Sequence, residues 1–149
     1  MSEEAPPDNR FFDTNVLVYA YTEPNSMKGR KAQRLLSDVF EGRVHAAVSN
    51  QILAELSNTL ISKFGAHPDS VNVIMESIAI NTNWLKLNYT VKTVMKCISA
   101  LDSKGLQGNY FFDMLIAQTM KENGITTLVT ENTKDFEGIE GITLVNPFK

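Results

Sequence analysis

Four carboxylates stand where packing alone would choose another residue: Asp13, Glu55, Asp113 and Asp135. Asp13 follows Phe11-Phe12 and precedes Val16-Leu17-Val18, so its neighbours belong in a core, and Arg10 is the only cation close to it in sequence. Burying a carboxylate without a partner is costly. Glu55 lies between Ile52 and Leu56, which places it at the edge of a helical apolar stripe. Asp113 falls in the first turn of an expected helix, where the helix N-terminus favours negative charge by about 0.3–1 kcal/mol. Asp135 follows an apolar run ending at Thr130 and precedes Phe136. Brought together, such acids raise one another's pKa unless a cation neutralises them. A divalent ion held by carboxylates lowers the pKa of a coordinated water and clamps phosphate oxygens, which suits phosphodiester hydrolysis.

Each acid also has a plainer reading. Asp113 alone reads as a helix cap or dipole partner, Glu55 as a solvated edge residue or the ion-pair partner of Lys63 or Lys104, and Asp135 as a turn residue. Asp13 is the hardest to explain by packing. The other donors narrow the metal. Cys97 is the single cysteine, and His45 and His67 repeat at no ligand spacing, so a bound ion would be hard and oxygen-ligated, Mg²⁺ or Mn²⁺ rather than Zn²⁺.

The elements that must position these acids follow from hydrophobic period. Arg10 to Ala20 reads as a buried strand, interrupted at Asp13-Thr14-Asn15 by a polar triplet that marks a strand end. Pro24-Asn25-Ser26 is a turn, and a helix from Met27 to Phe40 buries Ala32, Leu35, Leu36, Val39 and Phe40. His45–Val48 is a short strand. Ser49 caps a helix with Ile52, Leu53, Leu56, Leu60, Ile61 and Phe64 on one stripe. Asp69 to Ile80 is helical with Val73, Ile74 and Ile78 inward, and Trp84–Leu87 is a strand. Thr90 caps a helix carrying Val91, Val94, Met95, Ile98 and Leu101. Gly105 and Gly108 mark a loop, and Asn109 caps a helix that buries Phe112, Leu115, Ile116 and Met120. Ile125–Thr130 and Ile142–Val145 are the last strands, with a loop or short helix between them. Strands separated by helices imply an α/β fold with a parallel sheet covered on both faces. Ligands in such sheets gather beyond the carboxyl ends of the strands.

The chain of 149 residues is the size of one domain, and its 43% apolar and 21% charged content is globular. Residues 1–9, acidic and Pro-rich, read as a disordered lead to a domain over 10–149. The N-terminus has no apolar signal core and no run is long enough to span a membrane, so a cytoplasmic protein is expected. A net charge of −3 argues against a nucleic-acid coat protein but not against a nuclease.

Four segments in order resemble the motifs of PIN-domain ribonucleases, most closely the VapC-type toxins of toxin–antitoxin pairs: Phe-Phe-Asp13-Thr14-Asn15-Val-Leu-Val-Tyr, Gln51-Ile-Leu-Ala-Glu55-Leu, Phe-Asp113-Met-Leu-Ile-Ala and Leu-Val-Thr130-Glu-Asn132-Thr-Lys-Asp135-Phe136. Gly141-Ile-Thr-Leu-Val-Asn-Pro147-Phe resembles the family's last strand. The resemblance spans about Arg10 to Phe148. It implies a three-layer fold around a parallel sheet of four to five strands, and Mg²⁺- or Mn²⁺-dependent RNA cleavage leaving 5′-phosphate and 3′-hydroxyl ends. Carried over by position, Asp13, Glu55 and Asp113 bind metal, with Asp135 as a fourth acid. Thr14, Asn15 and Thr130 orient carboxylates or a water by hydrogen bonds. Asn132 stands where many relatives carry an acid, which weakens a second metal position. A small antitoxin and a homodimer are the implied partners.

Lys28, Arg30, Lys31 and Arg34 form a basic run that reads either as a solvated helix face or as a contact for RNA backbone or an acidic partner peptide. Tyr19 and Tyr21 are candidates for base stacking or for the core rim, Trp84 for packing, and Cys97 for an inert thiol. Two rival classes remain: a non-catalytic RNA- or protein-binding module on the same fold, and a Mg²⁺-dependent phosphatase or phosphoacceptor domain. The phosphatase would want an Asp where Asn15 stands, and Lys134 is poorly placed for the phosphoacceptor.

Overall fold

The computed structural model describes residues 9–105 and 110–149. A parallel sheet of five strands forms its centre, in the order β3-β2-β1-β4-β5. The strands are β1 (Arg10–Phe12), β2 (Ala46–Ser49), β3 (Trp84–Leu87), β4 (Thr127–Val129) and β5 (Thr143–Val145). Between them run α1 (Thr14–Thr22), α2 (Met27–Phe40), α3 (Asn50–Ser62), α4 (Pro68–Ile80), α5 (Val91–Lys104), α6 (Phe111–Glu122) and α7 (Thr133–Phe136). This is the three-layer α/β arrangement expected from strands alternating with helices.

The connections explain the layers. From β1 the chain steps outward to β2 and β3, then crosses back to β4 and β5. Right-handed crossovers in opposite directions put the first helices on one face and the later ones on the other. Accordingly α1 contacts both α2 and α3, α3 contacts α4, and α5 packs on α6. The order reverses beside β1, so β1 and β4 flank a topological switch point. Asp13 and Thr130 follow those two strands directly.

The segment Arg10–Ala20 departs from expectation. Only Arg10–Phe12 is strand, and Thr14 to Thr22 is helix. Asp13 is the cause. Its carboxylate accepts the Thr14 N–H at 2.8 Å, so the polar triplet starts a helix as well as ending a strand. The β-branched run after it fits a fully packed helix: Val16, Leu17 and Ala20 are all buried. Ser26, in the expected turn, caps α2 by accepting from Gly29 N. A Cβ on Gly29 would overlap the carbonyl oxygen of Glu23, so glycine sets how closely α2 approaches the end of α1.

Other elements agree in type and differ in the face they bury. The Ser49 cap, the capping box of Thr90 with Thr93 and the stripe Ile52–Leu56–Leu60 are present. Ile61 and Phe64, expected inward on α3, are exposed, as is Val73 on α4, where Ile78 is buried as expected and Val71 is buried in place of Val73. On α5 the inward face is Thr93 and Cys97, against Met114 and Leu115 of α6, while Val91, Met95 and Ile98 face out. Phe112 is 61% exposed, although Leu115, Ile116 and Met120 are buried as expected. Trp84 packs edge-on against Phe12 and Phe40. The expected lead (apart from Asn9) and the roles given to Gly108 and Asn109 lie outside the described residues. Among the described residues no helix is long and apolar enough to cross a membrane.

Candidate active site

Asp13, Glu55 and Asp113 line one cavity of about 600 Å³ beyond the carboxyl end of β1. Three elements bring them there. Asp13 is the N-cap of α1, Glu55 lies on the second turn of α3, and Asp113 is in the first turn of α6. Asp135, in the first turn of α7, lies beside this cavity, in an adjoining hollow that Asp113 also lines. Asp135 is exposed.

Asp13 is 7% exposed and has a hydrogen bond for each oxygen. One accepts from Thr14 N; the other accepts from the Thr130 hydroxyl at 2.8 Å and from the Asn15 amide at 3.4 Å. Thr14 donates its hydroxyl to Glu55 at 2.7 Å, which ties the first and second acids together. Asn15 accepts from Glu131 N and reaches Thr130, so α1 and the loop after β4 are locked to each other. Asn132 N donates to Thr130 Oγ1 at 3.0 Å, and the Asn132 side chain lines the cavity.

Burial raises the pKa of Asp13 most; the bonds from Thr130 and Thr14 oppose it, and the charges of Glu55 and Asp135 add to it. Asp113 is pushed up to about 6, first by burial and then by the charges of Asp135, Asp13 and Glu55. These four acids are therefore electrostatically coupled. No Lys or Arg forms a salt bridge with any of them among the described residues; Lys63 and Lys104 do not pair with Glu55. Lys63 lines the same cavity but forms no salt bridge with these acids, and such a set of oxygen donors fits a hard divalent cation. As the side chains are turned, no three His, Cys, Asp or Glu residues among those described stand close enough to hold one ion. Ligation therefore calls for side-chain rotation or bridging water.

The basic run divides. Lys28 pairs with Glu131 and lies 5.3 Å from the centre of the ring of Tyr19, a residue that lines the acid cavity. Arg30 turns to the Asn25 carbonyl. Lys31 and Arg34 line a separate groove. Tyr19 faces the acid cavity, while Tyr21 lines a different hollow between α1, α3 and α4.

The sequence assigns Gln51 no separate role and Phe112 only a place in the core. The buried Gln51 amide donates to Glu55 at 3.0 Å and to the Phe112 carbonyl at 3.2 Å, so it links the second acid to the helix of the third. Its spacing of one helical turn from Glu55 was the available signal. Phe112 forms part of the cavity wall, and apolar periodicity gave no hint of that.

The sequence model of one protein family, described as the PIN domain, matches residues 10–134, most of the chain. The chain belongs to the PIN-domain family. No curated protein matches it. Its PIN fold is similar to that of a toxin–antitoxin complex from Klebsiella pneumoniae, at 21% identity and a TM-score of 0.63, covering 93% of this chain and 98% of that one. It is also similar to the sarcin-ricin-loop-cleaving toxin VapC20 of Mycobacterium tuberculosis, at 17% identity and a TM-score of 0.66, covering 91% and 100%. DNA-bound VapBC from Salmonella typhimurium matches at 18% identity and a TM-score of 0.65, covering 93% and 98%. At these identities the likeness is one of fold.

Proposed function

We propose that this PIN domain is a divalent-metal-dependent endoribonuclease and the toxin of a toxin–antitoxin pair. One observation carries the reading: acids from α1, α3 and α6 converge on a single cavity without a cationic partner. Asp13, Glu55 and Asp113 would hold Mg²⁺ or Mn²⁺, with Asp135 beside them. When bound, the ion supplies Lewis-acid activation of water and of the phosphate.

The protein's own groups do the positioning. Thr14 and Gln51 fix Glu55 by one bond to each of its oxygens. Thr130 and Asn15 fix the outer oxygen of Asp13. Partners of this kind set ligand orientation and are typically worth 10- to 100-fold in metal affinity or activity. Asn132 offers an amide where a carboxylate would add charge, which favours one strong ion position over two. Phe112 and Phe64 form part of the cavity wall.

The toxin role and the small antitoxin are supported by structural relatives that are toxin–antitoxin and VapBC assemblies, while the homodimer and the cytoplasmic setting follow from the family resemblance of the sequence. The test is cleavage of single-stranded RNA by the purified chain. Cleavage should need Mg²⁺ or Mn²⁺, stop with EDTA, and leave 5′-phosphate ends. An Asp13→Asn protein that folds and cuts at the wild-type rate would overturn the assignment.

A further inference from the structure

A second cavity, of about 310 Å³, lies between α2 and the sheet. Its floor is apolar. Phe12, Val129 and Val145 stand side by side in register across β1, β4 and β5. Its rim is basic, with Arg10, Lys31, Arg34 and His45 around it. The one acid on the rim, Asp38, is already engaged by Arg43 at 2.8 Å. Among the described residues Arg10, Lys31 and Arg34 form no salt bridge. In a chain of net charge −3 this is a local concentration of unneutralised positive charge.

The groove shares no lining residue with the acid cavity, but α2 and the C-terminal segment run from one toward the other. Lys28 and Lys31 are one turn apart on α2, and Lys28 lies beside Tyr19, which lines the acid cavity. Pro147 lines the groove, and the next residue, Phe148, packs edge-on against Tyr19 at 5.2 Å. From Lys28 to Arg34 the basic row covers roughly 9 Å of helix. A polyanion approaching clustered carboxylates needs a cationic path, and a charged groove with low-dielectric walls focuses the field that draws it in.

Resting on the ribonuclease reading, we propose that this groove binds the sugar–phosphate backbone of the RNA strand flanking the scissile bond. Lys31, Arg34 and Arg10 contact phosphates, and Lys28 marks the passage past Tyr19 and Phe148 into the acid cavity. These residues are substrate-binding groups that take no part in the bond cleavage.

The experiment measures binding of a labelled single-stranded RNA across a salt series, in an Asp113→Asn background so that the strand survives. Each phosphate contact on a single strand contributes about 0.7 to the slope of log K against log salt. Lys31→Gln with Arg34→Gln should lower that slope by about 1.4, while Lys92→Gln with Lys121→Gln, on α5 and α6, should leave it unchanged. In the otherwise wild-type enzyme the first pair should raise KM for a long RNA, keep kcat, and spare an oligonucleotide too short to reach the groove. Lys31→Arg with Arg34→Lys should retain the slope, which separates charge loss from misfolding. An unchanged slope for the Gln pair, or equal losses in both Gln pairs, overturns the proposal and leaves the groove to an acidic protein partner. Its failure is distinct from failure of the nuclease reading, because wild-type cleavage in Mg²⁺ is scored separately.

Discussion

The acid cavity, which Tyr19 lines, and the basic groove beside α2 hold opposite charge by opposite means. In the acid cavity short side chains are fixed by bonds from remote segments: Thr130 and Thr14 to Asp13, Thr14 and Gln51 to Glu55. In the basic groove long side chains reach over an apolar floor and are fixed by none of the ion pairs seen among the described residues. The first arrangement suits a site that must place oxygens to a fraction of an ångström. The second suits a contact that must follow a flexible strand, where charge matters more than geometry. Substitutions should therefore act steeply in one cavity and gradually in the other.

The largest effect is expected from Asp13→Asn. Removing one preorganised electrostatic group typically costs about 10²–10³ in kcat, and a fluorogenic RNA assay reads it. The same variant should melt no lower than wild type without metal, because a buried charge has been removed. A drop in melting temperature with unchanged cleavage would erase the proposed contrast between the cavities.

A smaller loss should follow Thr14→Val, which deletes the donor to Glu55 without touching an acid. Metal affinity or cleavage should fall by about 10- to 100-fold, measurable by Mn²⁺ titration calorimetry. Rescue by Thr14→Ser would locate the effect in the hydroxyl.

The pH dependence sharpens the electrostatic side. Asp113 titrates near 6 in the folded chain against 3.8 for an ordinary Asp. The folded state thus binds more protons than the unfolded one between those values, and its stability falls as pH rises through that window. Metal-free protein should melt at lower temperature at pH 7 than at pH 4.5 on account of this group. Added Mn²⁺ should raise the melting temperature more at pH 7 than at pH 4.5. Asp113→Asn should flatten both trends in differential scanning fluorimetry.

The smallest effect on stability belongs to Lys28→Ala. Its pair with Glu131 is exposed, and solvent screening leaves such pairs little net stabilisation. Chemical denaturation should show almost no change, while RNA affinity at low salt should drop.

Much of this architecture was readable from residue order. Period 3.6 in α2 and α3, the Ser49 and Thr90 caps and the strand at Trp84–Leu87 are local properties, decided within a few residues of chain. The four acids were conspicuous for the same local reason, an anion amid apolar neighbours or at an element's edge. Helix α1 was misread because Val, Leu and Tyr in a row fit a buried helix as well as a buried strand. The faces of α4 and α5 are legible only in part: Ile74, Ile78, Val94 and Leu101 pack inward as expected, but Val73, Val91, Met95 and Ile98 face out, because several apolar stripes exist on each helix and the neighbour selects among them.

By itself, then, the sequence determined which side chains could carry charge and roughly where each element begins, since capping and hydrophobic spacing act over one or two turns. Only the tertiary structure decided that Thr14 joins Asp13 to Glu55, that Gln51 ties Glu55 to α6, and that Lys31 and Arg34 part from Lys28 into a groove of their own. Those relations depend on strand order and helix approach, with Gly29 fixing one of the closest, and contacts between residues up to 117 positions apart leave no periodic trace in the chain.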